Sequence, residues 1–198
     1  MNQKTNLSSN KNPYTIWFVV FAFVAPAVLA YVMYFFVDIR SFTNHGEILN
    51  PVVDISTLKL KDDKNNLIPR KTLTYKWRMI SFVGANCDEM CNKRLHDVRQ
   101  IHKSLAKDQH RVIRMIVHLQ PPSEELSSLI SRQYPNALNF FGDEKEISSA
   151  LGASARIQEN ETYIMDPIGN VMMRFTQDQA NRLLLKDMKK LLKVSQIG

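Results

Sequence analysis

Twenty-four consecutive residues near the start of the chain carry no charge, and they separate the sequence into two unlike parts. The stretch is YTIWFVVFAFVAPAVLAYVMYFFV, residues 14–37. A helix of this length rises about 36 Å, and the hydrocarbon core of a bilayer is about 30 Å thick. Pro26 is tolerated in a membrane helix, and aromatic residues such as Trp17 and Tyr34 suit the two interfaces. The sequence therefore predicts one transmembrane anchor at residues 14–37.

A cleaved signal peptide is the alternative interpretation of this stretch. The hydrophobic region of a signal peptide usually has about 7–15 residues. Here the apolar run continues to Val37, which favours an uncleaved anchor. Lys4 and Lys11 precede the run, and the positive-inside rule then places residues 1–13 in the cytoplasm. We expect the rest of the chain on the periplasmic, or extracytoplasmic, side of the inner (cytoplasmic) membrane.

The part of the chain after the anchor has room for one ordinary domain. Residues 38–51 contain Asn, Gly and Pro breakers and are interpreted as a linker, which leaves residues 52–198 for the domain. The net charge of +7 does not indicate nucleic-acid binding, because the basic residues are scattered and the sequence has no nucleic-acid-binding motif. The expected partners are other proteins and the lipid membrane, which residues 14–37 would cross.

Hydrophobic periodicity predicts alternating strands and helices in the domain. The predicted strands are 52–60, 76–83, 111–119, 137–141, 162–165 and 171–175, with a weaker strand or loop at 67–75, and helices follow near 88, 123, 143 and 176. Strand–helix–strand units imply parallel pairing, and the hairpin around DPIGN adds antiparallel strands. The predicted fold is α/β, with a mixed sheet flanked by helices.

The chain has two cysteines, Cys87 and Cys91, between a predicted buried strand and the start of a helix. Backbone N–H groups at a helix start favour negative charge, so thiols there are better nucleophiles and better metal ligands. On one side of a helical turn the two Cα atoms would lie about 6 Å apart, close enough for a disulfide. A structural bond across so short a loop would remove little entropy from the unfolded chain. A redox or metal role is favoured, and a structural or incidental role stays open.

The segment WRMISFVGANCDEMCNKRLHDV, residues 77–98, resembles the cysteine motif of the Sco/SenC family. That family consists of membrane-anchored proteins of thioredoxin fold that act in cytochrome c oxidase assembly. The resemblance extends to the hairpin ETYIMDPIGNVMMRF and spans residues 52–192. It implies a thioredoxin-like domain that delivers copper to the dinuclear copper site of the oxidase or reduces the cysteines of that site. The implied partner is an oxidase subunit or another of its assembly factors.

Two positions depart from the pattern of the family. Its members carry a His upstream of the Asp in the hairpin turn as a third copper ligand, and here that position is Gln158. Related thiol oxidoreductases carry a cis-proline slightly closer to the same Asp, where this chain has Asn160. An amide is a poor Cu(I) ligand. Gln158 therefore favours thiol redox chemistry over copper delivery, whereas with Asn160 the chain also lacks the proline that contacts the substrate in related thiol oxidoreductases.

His118 is the candidate substitute for the missing copper ligand. It ends a predicted strand, and in open α/β sheets sites assemble at the carboxyl ends of the strands. The favoured interpretation, however, is an ordinary, half-exposed histidine at a strand end. Met90, between the cysteines, is interpreted as a packing residue.

Three functions follow from these residues. The favoured one is a thiol–disulfide oxidoreductase that uses Cys87 and Cys91, with Cys87 as the more accessible, attacking thiol. The second is a Cu(I) carrier that uses both cysteines and His118. The third is a non-catalytic assembly factor that holds a partner through its fold and its membrane helix.

Overall fold

The computed structural model describes residues 13–36, 44–151, 157, 161–176, 179 and 181–197. The chain divides into two compact units, Met1–Thr43 and Asn44–Gly198. The described part of the first unit is one helix, α1 (Pro13–Phe36). Nearly all of the uncharged stretch that predicts an anchor is therefore helical.

Helix α1 has the length and composition of a membrane span. Its segment Trp17–Tyr34 has a mean hydropathy of 2.1, and none of that segment is buried against protein. Burying a large apolar side chain is worth about 1.5–3 kcal/mol, so a helix of this kind is costly to leave in water. The predicted N-terminal apolar helix is confirmed as a candidate membrane span.

The second unit is a six-stranded mixed sheet with helices on its faces. Its strands and helices are β1 (Glu47–Asp54), β2 (Trp77–Val83), α2 (Glu89–Ser104), β3 (Val112–His118), α3 (Glu124–Gln133), β4 (Leu138–Phe141), α4 (Glu144–Ala150), β5 (Thr162–Met165), β6 (Asn170–Phe175) and α5 (Asn181–Val194). The strand order is β1-β6-β5-β2-β3-β4, in which β2, β3 and β4 are parallel and the other pairs antiparallel. The predicted mixed sheet flanked by helices is confirmed.

The first strand differs from its prediction. It begins at Glu47, within the range 38–51 that the sequence assigns to a linker. Pro51 looks like a breaker, but a proline fits an edge strand, and β1 lies at the edge with a register shift in its pairing to β6. The second half of the predicted strand 52–60 is instead a 3₁₀ helix at Ile55–Leu58, which Asp54 caps.

The segment 67–75, a weak strand or loop by sequence, contains a 3₁₀ helix at Arg70–Leu73. A buried arginine of β2 holds this segment against the sheet. The guanidinium of Arg78 donates hydrogen bonds to the carbonyl oxygens of Leu73 and Thr72. Burial lowers the pKa of Arg78 to about 10, so the group stays protonated near neutral pH and its charge is solvated by backbone carbonyls.

The sheet carries apolar cores on both of its faces. Helices α2 and α5 pack on one face, where α3 extends the contact, and α4 packs on the other together with the 3₁₀ segment Ile55–Leu58. All seven residues of β2 are buried, and successive side chains point to opposite faces of the sheet. Ile80 and Phe82 pack in the core on one face, and Met79 and Val83 pack in two neighbouring clusters on the other face. The strand that leads into the cysteine loop is therefore fixed from both sides.

A buried carboxylate of α5 holds the first residues of the domain. Asp187 is 2% exposed and accepts hydrogen bonds from the backbone N–H groups of His45 and Gly46, at 2.5 and 3.1 Å. Its other oxygen lies 2.8 Å from Nδ1 of His45. A Cβ on Gly46 would lie 2.5 Å from the ring of Phe175. The start of the domain is thus held by α5 and β6.

The role of β2 gives a matched test. Replacing Ile80, which is fully buried, by Ala should lower the free energy of unfolding by about 2–5 kcal/mol, because a cavity forms in the core. Ile168→Ala is the control, because that side chain is 56% exposed, and it should change the free energy by less than about 0.5 kcal/mol. Urea unfolding of the full chain in detergent, followed by circular dichroism, measures both. Equal losses would contradict the described core.

Candidate redox site

Cys87 and Cys91 form a disulfide at the junction of β2 and α2, with their Cα atoms 5.2 Å apart. The carboxylate of Asp88 caps α2 by accepting a hydrogen bond from the backbone N–H of Cys91 at 2.7 Å. The sequence predicts both cysteines on one helical turn. Instead Cys87 precedes the helix and Cys91 lies in its first turn, because Asp88 is the capping residue.

The two sulfur-bearing residues differ in exposure. Cys91 is 1% exposed and packs in the core that contains Val83 and Leu95. Cys87 is half-buried, and its carbonyl accepts a hydrogen bond from the side-chain amide of Asn92 at 3.2 Å. An external thiol therefore reaches Cys87 more readily than Cys91. Met90, interpreted by sequence as a packing residue, is 38% exposed and lies on the outside of the turn.

A cavity of about 150 Å³ opens beside Cys87. Its lining residues are Asn86, Cys87, Asn92, Ser123, Glu125, Leu126 and Leu129. The start of α3 is held against the cysteine loop because the backbone N–H of Ser123 donates to the carbonyl of Ala85 at 2.8 Å. One wall of the cavity is therefore formed by the cysteine loop and the other by α3, which begins more than thirty residues after the cysteines.

Sequence reasoning did not find this wall of the cavity. The signal was present in the predicted topology, because loops that follow neighbouring parallel strands meet at one edge of the sheet. Strands β2 and β3 are such neighbours, and α2 and α3 follow them. The N-terminus of α3 could therefore have been placed beside the cysteines.

His118 lies at the same edge of the sheet, but its side chain does not join the cysteines. Its register partner on β2 is Val83. The ring is 4% exposed and stacks on Phe141 with 5.0 Å between the ring centres. It lines a separate cavity of about 210 Å³, and neither cysteine lines that cavity. Burial lowers the pKa of His118, and a hydrogen bond with Asn139 partly offsets this effect.

The expected copper ligands are not assembled. Among the described residues, no three His, Cys, Asp or Glu side chains form a group that could hold a metal ion. Nδ1 of His118 is buried and has no hydrogen-bond partner within the described part of the chain, but the two sulfurs are bonded to each other. The donor set of Cys87, Cys91 and His118 therefore does not fit copper in this structure. Gln158 and Asn160 lie outside the described residues.

A buried charged cluster at this edge was also missed by sequence. Glu161, 2% exposed, accepts a hydrogen bond from the Tyr163 hydroxyl at 2.8 Å and lies 3.7 Å from the Arg174 guanidinium. Burial, together with the Glu161 carboxylate, raises the pKa of Tyr163 well above its usual value. A lone Glu before a short strand is ordinarily exposed, so the sequence pattern contained no sign of the cluster. The cluster fixes the start of β5, where Thr162 pairs with Ser81 of β2.

Solved structures of Sco proteins share this fold. Apo Sco1 of Thermus thermophilus has a TM-score of 0.56 at 16% identity, over 75% of this chain and 97% of that one. Yeast Sco1 with copper bound has a TM-score of 0.55 at 16% identity, over 77% and 95% of the two chains. BsSco, described as a Sco-family oxidase assembly protein with a disulfide switch, has a TM-score of 0.54 at 11% identity, over 77% and 99%. The predicted likeness to Sco proteins and the thioredoxin-like fold are confirmed.

No curated protein sequence matches the chain significantly. A family model described as "Transmembrane-like, thioredoxin-like, C-terminal domain" matches residues 77–195. The match runs from the start of β2 to the end of α5 and includes both cysteines. This chain, with its thioredoxin-like sheet and its N-terminal apolar helix, therefore belongs to the family of transmembrane-like, thioredoxin-like, C-terminal domains.

Proposed function

We propose that this chain is a membrane-anchored thiol–disulfide protein that exchanges electrons with cysteines of a partner during cytochrome c oxidase biogenesis. One observation carries the proposal: the Cys87–Cys91 disulfide lies at a helix start, with Cys87 half-buried and Cys91 only 1% exposed. A bond across so short a loop contributes less to stability than a bond that closes a long loop. A role in reversible exchange explains the bond better than a structural role.

The exchange follows from the geometry of the pair. A thiolate of the partner attacks Sγ of Cys87, the Cys87–Cys91 bond breaks, and Cys91 leaves as a thiolate that then takes up a proton. A second thiolate of the partner attacks the mixed disulfide and releases Cys87. Two electrons and two protons pass from the partner to the pair, and the partner becomes oxidised. In the reverse direction, reduced Cys87 attacks a partner disulfide and Cys91 resolves the intermediate.

The N-terminus of α2 helps the buried sulfur to leave. Cys91 lies in the first turn, where free backbone N–H groups and the helix dipole stabilise negative charge. The Asp88 carboxylate accepts a hydrogen bond from the N–H of Cys91 and so orders this turn. The direction of electron flow depends on the reduction potentials of this pair and of the partner pair.

The setting of the reaction is part of the proposal. Helix α1 crosses the inner membrane, residues 1–13 lie in the cytoplasm, and the domain lies on the extracytoplasmic side, where disulfides persist. The oxidase as the destination is supported by BsSco, which has the same fold and is described as an oxidase assembly protein. The partner is then an oxidase subunit or another assembly factor.

The exchange predicts a trapped intermediate. Cys91→Ser leaves the accessible thiol and removes the resolving one, so a mixed disulfide with the partner should accumulate. Non-reducing electrophoresis of membranes should show a heavier species that disappears on reduction. The Cys87→Ser/Cys91→Ser variant is the control and should not form it. The same species in the control, or a wild-type pair that neither reduces nor reforms, would overturn the proposal.

Oxidase activity separates exchange from mere binding. Cells that carry the double Ser variant should assemble less active oxidase than wild-type cells, because the partner cysteines stay in the wrong redox state. Equal protein levels on immunoblots are the control. Full oxidase activity in this strain would favour the non-catalytic assembly factor.

Copper carriage is the second candidate function, because yeast Sco1, which shares the fold, was solved with copper bound. For this chain, copper would be cargo held by the reduced Cys87 and Cys91. The described residues offer no third ligand beside them. Two thiolates are a soft donor pair for Cu(I), so any binding would depend on the cysteines alone.

Titration of the reduced full chain with Cu(I) under anaerobic conditions tests this candidate. Both single Ser variants should lose the tight binding, and His118→Gln should bind as the wild type does, because its ring stacks on Phe141 away from the sulfurs. A loss of more than about a hundredfold in affinity for His118→Gln would show that the ring is a ligand, since losing an outer contact costs about 10- to 100-fold. His110→Gln, at an exposed position, is the matched control.

A further inference from the structure

We infer that the cavity beside Cys87 binds a lysine or arginine side chain that neighbours the reacting cysteine of the substrate. The inference rests on the proposed function and names its substrate class: a protein cysteine flanked by a basic residue. It follows from the position of the cavity, its lining and its charge.

The cavity is part of the reaction site because Cys87 itself lines it. A side chain that occupies the cavity therefore contacts Cys87, the more exposed cysteine of the disulfide. Its volume of about 150 Å³ suits one long side chain and is too small for a folded segment. The occupant is thus a single side chain close in sequence to the attacking sulfur.

The lining combines apolar and polar surfaces. Leu126 and Leu129 of α3 belong to the apolar core or pack against it. Asn86, Asn92 and Glu125 supply the polar groups. Lysine and arginine bury a hydrocarbon stem along apolar surface while the charged end reaches polar groups. The leucines fit the stem of such a residue, and the polar groups fit its charged end.

The charge of the cavity selects a cation. Glu125 is the only charged side chain among the described residues that line it. Within the part of the chain that the structure describes, its carboxylate has no hydrogen bond or ion pair. The exposed Asp88 and Glu89 follow Cys87 directly and add negative charge. A basic side chain in the cavity would form an ion pair with Glu125. This local negative charge exists although the chain as a whole carries a net charge of +7.

Binding in the cavity would favour the exchange step. The substrate thiolate attacks Sγ of Cys87, and the sulfur of Cys91 leaves as a thiolate that then takes up a proton. A basic residue held by Glu125 brings the substrate sulfur to Cys87 and offsets the repulsion between the incoming thiolate and the acidic residues. The step needs no reactant beyond the substrate thiol and the disulfide.

Peptide kinetics test the inference with a matched pair of variants. The oxidised full chain in detergent is mixed with two peptides that contain one cysteine next to either Lys or Gln. Acid quenching and mass spectrometry measure the rate of reaction at the Cys87–Cys91 bond. Each rate is divided by the rate of the same peptide with hydroxyethyl disulfide, which removes differences in intrinsic thiol reactivity. The wild type should prefer the Lys peptide by about two- to fivefold, the range of an exposed ion pair.

Glu125→Gln should abolish this preference, and Glu124→Gln should retain it. Both variants remove one negative charge from the exposed first turn of α3, but only Glu125 lines the cavity. A preference that is absent in the wild type, or lost equally in both variants, overturns the inference. If the disulfide reacts with dithiothreitol but the wild type shows no preference for the Lys peptide, the inference is overturned and the proposed function stands. Failure to react with dithiothreitol or either peptide overturns the proposed function and the inference together.

Discussion

Strand β2 has a hydrogen-bonded neighbour on each side, β3 and β5, and every one of its residues is buried. The position of the disulfide depends on this strand. Seven residue pairs run in register from Trp77 opposite Val112 to Val83 opposite His118. A slip by one residue would move every side chain of β2 to the wrong face, so the register is strongly specified. The cysteine loop therefore leaves the sheet at one fixed point, beside the start of α3.

The pattern of the sequence was sufficient for the parts that depend on local chemistry. A mainly apolar run predicts β2, and the change to helical spacing after Asp88 predicts α2. These features follow from a few neighbouring residues. The first strand could not be predicted in the same way, because the pairing of Glu47–Asp54 with β6 overrides the local signal of Pro51.

The composition of the site was harder to predict than its location. Sequence topology places His118 at the correct edge of the sheet, but the direction of its ring is set by stacking on Phe141, which comes from another strand. Glu125 lines the cavity only because Ser123 is hydrogen-bonded to the cysteine loop through Ala85. Contacts of this kind join residues that are distant in the chain, and no periodicity or motif records them. The buried Glu161 was missed for the same reason.

The attachment of Asp187 to His45 and Gly46 has a mechanical consequence. Any tension in the chain that precedes Asn44 reaches the domain at these two backbone amides and at the edge strand β1. Asp187 is a residue of α5, and β1 pairs only with β6 within the described sheet. The load therefore enters the domain through α5 and the outer strands. Because α5 packs on α2, and Cys91 lies in the first turn of α2, tension on the preceding chain is transmitted to the helix that carries the buried sulfur.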